Sequence, residues 1–91
     1  MDQLERIKYY EAILNEGEEA LRDFNRALDR LIALKPKIKE LDNYYQGDER
    51  MKDVMDDEEG RLPLDLARGV LAEDYAYDLL MDYYDIINKL D

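Results

Sequence analysis

The sequence predicts an all-α fold. It reads as a small helical bundle built on one long N-terminal helix, with two or three short helices and a C-terminal helix, in a single domain over residues 1–91. Three observations predict it. Apolar residues recur at alternating spacings of three and four through two long segments. β-Branched residues are scarce, with six Ile, two Val and no Thr against fourteen Leu and seven Ala, which favours helix over strand. No run alternates apolar and polar residues as a strand would. A chain of 91 residues is one domain with a small core, burying roughly 60–65% of its unfolded surface.

The first helix is expected from Gln3 to Leu34. Asp2 can cap it, with Glu5 three residues later. Ile7, Tyr10, Leu14, Gly17, Leu21, Phe24, Leu28 and Leu31 form its apolar stripe. A further row, Ile13, Ala20, Ala27 and Leu34, widens the stripe to that of a bundle helix. Gly17 interrupts this face and marks either a bend or the close approach of another helix. Arg22, Arg26 and Arg30 line the opposite side as a solvated stripe, with Glu18 spaced to pair with Arg22.

Pro36 ends this helix, biases Lys35 away from the α region, and opens a second helix from Pro36 to Tyr45. Gly47 closes it. Asp48 is placed to cap a third helix, Glu49 to Glu58, closed by Gly60. A brief helical turn is expected from Pro63 to Arg68, with proline at its start and Gly69 just past its end. The last helix is expected from Glu73 to Lys89, with Ala76, Leu79, Leu80 and Tyr83 facing inward. Leu21 and Leu28 are expected to share one core with Leu79 and Tyr83, because the two longest apolar faces need cover.

A 32-residue helix is about 48 Å long, whereas a compact chain of this size has a radius of gyration near 12 Å. The first helix therefore exposes an apolar face unless something lies along it. A homodimer follows as an expectation.

Composition excludes more than it assigns. The chain has 24 acids and 13 bases, a net charge of −11, and no Cys, His, Trp, Ser or Thr. Disulfides, thiolate and imidazole metal sites, and every hydroxyl or thiol nucleophile except tyrosine are excluded. No catalytic residue, metal site or cofactor is assigned. The acids could serve only in carboxylate chemistry, and all fall on polar faces or loops. The Asp56-Asp57-Glu58-Glu59 run lacks the spacing of a calcium loop and reads as a solvated run. Direct binding to nucleic acid or to an anionic membrane surface is disfavoured by charge. No segment approaches the ~20 apolar residues of a membrane span, and the N-terminus lacks the pattern of a signal peptide. A cytoplasmic location is expected.

The stretch Leu34–Leu80 carries a distinctive series. It contains Lys35-Pro36-Lys37, Tyr44-Tyr45, Asp57-Glu58-Glu59-Gly60, Leu62-Pro63 and Asp65-Leu66. It continues with Arg68-Gly69-Val70-Leu71, Glu73-Asp74 and Tyr77-Asp78-Leu79-Leu80. This series resembles the bacterial family called domain of unknown function 4298. The resemblance implies a bacterial cytosolic helical protein and supplies no activity. Ala72 stands where the resemblance implies a capping serine.

Two surfaces remain as candidates for binding. Asp74, Asp78, Asp82 and Asp85 form an acidic stripe opposite the apolar face of the last helix. Like charges at these spacings cost about 0.2–0.5 kcal/mol per contact, so a fold requirement does not explain them. Tyr77 and Tyr84 share one flank of the same helix, and tyrosine suits a boundary between apolar and wet surface. In each of the pairs Tyr9-Tyr10, Tyr44-Tyr45 and Tyr83-Tyr84, one ring is expected in the core and one at its rim. The sequence points to a non-catalytic protein acting through protein–protein contact, with a partner of basic surface. The alternative is a nucleic-acid mimic that occupies a nucleic-acid-binding protein, as phage-type anti-defence proteins do.

Overall fold

The structure, a computed structural model, describes residues 1–90. Of these, 81% are helical, in four α-helices and with no strand, so the all-α expectation holds. Contacts divide the chain into two compact units, Met1–Ala33 and the remainder from Leu34. No helix among the described residues is long and apolar enough to cross a membrane.

The first unit is helix α1, Gln3–Ala33. Asp2 starts it as expected. Its Oδ1 accepts the Glu5 N–H at 2.8 Å, and its carbonyl accepts the Arg6 N–H at 2.9 Å. These bonds satisfy donors that the first turn would otherwise leave unpaired. The helix passes Gly17 without a break, and a Cβ there would meet nothing within 4 Å. Glu18 and Arg22 do not form the ion pair that their spacing suggested among the described residues. No residue of α1 is buried.

Two expectations for the core are corrected here. Leu21 is 65% exposed and Leu79 is 49% exposed, so neither joins a core with Tyr83. A helix stripe is buried only where something packs alongside, and no residue of α1 reaches full burial. Leu28 and Leu31, near its end, are half-buried. Tyr9 and Tyr10 are both exposed as well, their rings edge to face at 5.2 Å. The division into a core and a rim ring therefore fails for that pair.

The second unit opens with α2, Lys35–Gln46. Leu34, which precedes α2, is itself helical, at φ −78° and ψ −7°. Lys35 is helical too, against its expected exclusion. The preference against α before proline yields because Pro36 lies in a first turn, where its missing N–H needs no partner. The Ile38 N–H then bonds the Leu34 carbonyl at 2.9 Å. Gly47 ends α2 as expected, giving its N–H to the Tyr44 carbonyl at 3.0 Å.

Helix α3 spans Asp48–Glu58. Asp48 is its first residue and not its cap; with Glu49 it lies where carboxylates favour the positive helix end. Gly60 closes α3 at φ +74°. Its N–H bonds the Asp57 carbonyl at 3.0 Å, and the Arg61 N–H bonds the Asp56 carbonyl at 2.9 Å. This pair of bonds is the Schellman closure, which needs a left-handed residue at the glycine.

Residues 63–68 do not form the expected helical turn. One turn bond, Leu66 N–H to Pro63 carbonyl at 3.3 Å, is followed by a 3₁₀ turn over Gly69–Leu71. The Arg68 guanidinium instead ties the segment together, donating to the carbonyls of Pro63, Leu64 and Leu66.

Helix α4 spans Tyr75–Leu90, starting two residues later than expected. The Asp74 carbonyl accepts the Asp78 N–H at 2.8 Å, so Asp74 holds the capping place. The core of the unit is Ile38 from α2 with Ala76, Leu80 and Tyr83 from α4. Helix α2 packs on α3 and α4, and the 3₁₀ turn packs on the same two helices.

Candidate functional site

The inward period of α4 runs through Ala76, Leu80 and Tyr83, all buried. That geometry turns Asp78, Asp82 and Asp85 to the opposite side, where each is exposed. Asp74 is exposed at the helix N-terminus. This placement revises one part of the stripe's physics, because a carboxylate there is favourable to the helix. Asp85 pairs with Lys89 at 2.9 Å. Among the described residues, Asp74, Asp78 and Asp82 form no ion pair. The stripe is thus three unneutralised carboxylates on successive turns, about 6 Å apart along the axis.

Tyr77 and Tyr84, seven residues apart on α4, share its flank but differ in exposure. Tyr77 is 50% exposed. Tyr84 is half-buried and turns to α2, its hydroxyl donating to Asp42 Oδ2 at 3.0 Å. Asp42 also accepts from Gln46 Nε2 at 2.6 Å. The hydrogen bond to Asp42, then desolvation, hold the Tyr84 phenol above its ordinary pKa. Tyr83 is buried and Tyr84 is at the rim, edge to face at 5.9 Å, so this pair divides as expected.

A second set of polar ties braces α2, α3 and the loop that follows α3. The Tyr44 hydroxyl donates to Asp53 Oδ2 at 2.6 Å. That bond, followed by desolvation, raises the Tyr44 pKa. The Arg50 guanidinium lies 4.5 Å over the Tyr45 ring and donates to the carbonyls of Val70 and Ala72 at 3.0 and 3.2 Å. Arg68 Nε reaches Asp57 Oδ1 at 2.5 Å. Arg61 pairs with Asp56 at 3.2 Å and Glu59 at 2.7 Å. Three of the four acids in the Asp56–Glu59 run are therefore held by arginine. Arg68 carried a signal, since it stands in the Arg-Gly-Val-Leu segment; Asp42 and Arg50 carried none, because the Tyr84 hydroxyl and the Val70 carbonyl that they meet lie 42 and 20 residues away.

Chemically, these groups bind and brace. Among the described residues no charged side chain is buried, so no carboxylate has the desolvated setting that acid–base work uses. No group of three or more His, Cys, Asp or Glu among them could hold a metal ion. Two shallow clefts of about 280 and 310 Å³ share Ala67 and Val70 and are largely apolar.

The apolar face of α1 is open by itself. Leu4, Ile7, Tyr10, Ile13, Leu14, Leu21 and Phe24 are all exposed. Isolated exposed leucines are ordinary; here seven large apolar side chains lie exposed along one side of a single helix.

A family model described as "Domain of unknown function (DUF4298)" matches residues 7–91. The match covers nearly the whole chain. No curated protein and no solved structure matches it. The chain belongs to the DUF4298 family.

Proposed function

We propose that this DUF4298 protein is a non-catalytic interaction module of the bacterial cytoplasm, acting by contact with protein. The observation that carries this reading is the exposed apolar stripe of α1, with Leu21 at 65% and Phe24 at 58%. Leaving such a stripe in water is costly at about 25 cal/mol per Å², and burying it on a protein surface recovers that cost. The chain's residue types support the same reading, since Ser, Thr, Cys and His are all missing. A cysteine-free composition also fits a reducing compartment.

The test is capture by the tagged chain at low and high salt, with Leu14→Glu/Leu21→Glu as the control. An apolar contact through α1 survives high salt and is lost in the variant. Equal capture by both chains would remove α1 from the mechanism.

A second reading rests on Asp74, Asp78 and Asp82, exposed and unneutralised on one side of α4. Such a stripe suits a basic surface of the kind that binds nucleic acid, with attraction over about 8 Å at physiological salt. On this reading the chain is a mimic that occupies a nucleic-acid-binding protein. Its contact would weaken steeply with salt, the opposite of the first reading.

A further inference from the structure

We infer that the occupant of the α1 face is a second copy of this chain, its α1 lying antiparallel to the first. This rests on the reading of α1 as a contact surface and names the partner. From Ile7 to Leu31 the seam positions are spaced three and four, giving four heptads in which Gly17 is the one position without a side chain. A Cβ added at Gly17, in the middle of that seam, would meet nothing within 4 Å.

Three features select antiparallel over parallel. The first is volume. In an antiparallel pair centred on Glu19, Gly17 meets Leu21 of the partner, and Leu14 meets the partner's Phe24. Large faces small in the two layers that hold Gly17, and all four central layers are built from exposed residues or the open glycine. Tyr10 and Ile7 then meet Leu28 and Leu31 at the ends. A parallel pair would set Gly17 against Gly17, leaving a gap, and Phe24 against Phe24.

The second is the flank of the seam. Ile13, Ala20 and Ala27 border it on one side, with Glu11, Glu18 and Asn25 on the other. Antiparallel pairing brings like flanks together, so Ala20 meets its own copy at the axis and Ile13 meets Ala27. Parallel pairing sets each flank against the other, with Ile13 facing Glu18 and Ala20 facing Asn25. It gains in return the Arg6–Glu11 attraction and one apolar meeting, Ala27 with Ile32.

The third is charge. Residues 1–18 hold five acids and two bases, net −3, whereas residues 20–33 hold two acids and three bases, net +1. Antiparallel helices match these opposite halves and oppose their macrodipoles. Glu18 beside its own copy at the axis is the one unfavourable meeting, and Arg22 lies one turn away.

The chain has no cysteine, so single introduced cysteines report the geometry directly. Ala20→Cys should cross-link the dimer on oxidation. Ile7→Cys should not, because its two copies would lie about 36 Å apart. Light scattering at high micromolar concentration should give about twice the 10.9 kDa chain mass. Leu14→Glu/Leu21→Glu should weaken the dimer by more than about tenfold. Circular dichroism checks that variant's helix content; if it is lost, the mild cysteine variants decide the question.

Cross-linking through Ile7→Cys would show a parallel pair and overturn the inference. So would the mass of one chain. In that second case, capture of another protein that the Leu14/Leu21 variant loses would leave α1 a contact surface for a different partner. Identical capture by both chains would remove that reading as well.

Discussion

Tyr84 on α4 donates its hydroxyl to the Asp42 carboxylate on α2 at 3.0 Å, while its neighbour Tyr83 fills the core between the same helices. Adjacent residues on a helix point about 100° apart. One therefore supplies apolar volume and the other a polar tie at the boundary. Tyr44 and Asp53 repeat the device between α2 and α3 at 2.6 Å. Both helices that flank α2 are thus fastened to it by a phenol–carboxylate bond.

These ties set a pH dependence. Both phenols have folded pKa values above their ordinary 10, chiefly through the bonds to Asp42 and Asp53. Above pH ~10 the unfolded chain has already lost these protons while the folded chain retains them. Stability is then fully present below pH ~10 and falls as pH rises through the folded values. Urea melts across this range should show that decline, and Tyr44→Phe/Tyr84→Phe should flatten it. An unchanged slope in the double variant would mean that these bonds are not formed.

Leu80 and Leu21 should behave differently on truncation. Leu80 is 3% exposed, and Leu80→Ala should cost about 2–5 kcal/mol at any protein concentration. Leu21 is exposed, and Leu21→Ala should change the stability of a single chain by less than about 0.5 kcal/mol. Its effect should emerge only where copies associate. Denaturant melts over a dilution series separate the two.

Two glycines should respond with opposite signs. Gly60 is left-handed at φ +74°, and Gly60→Ala should cost roughly 1–2 kcal/mol. Gly17 lies inside a helix with nothing within 4 Å of an added Cβ. Gly17→Ala should raise the helix stability by about 1 kcal/mol. Thermal melts followed by circular dichroism give both signs.

Arg68 should govern the loop more than the fold. Its removal in Arg68→Ala leaves three loop carbonyls and Asp57 without their common donor. Hydrogen exchange and proteolysis should quicken over residues 61–71, with little change in α4. Arg68→Lys should rescue poorly, because one ammonium cannot span the acceptors of a planar fork. Equal protection in all three chains would assign the loop's order to its apolar residues alone.

The helical class, α1 with its Asp2 cap, and the closures at Gly47 and Gly60 follow from the sequence by itself. Each depends on spacing or on a residue acting within a turn of its own position, where propensity and capping decide the outcome. The same locality explains the legible part of the candidate site. Asp78, Asp82 and Asp85 share a side of α4 because 3.6 residues make a turn. The tertiary structure decided the rest. It brought Asp42, 42 residues distant, to the Tyr84 hydroxyl. It set a loop wound on Arg68 at 63–68, where the five donors of one guanidinium reach three carbonyls and Asp57 together. It left Leu21 and Leu79 exposed, since periodicity tells which side of a helix is apolar but not whether anything arrives to cover it.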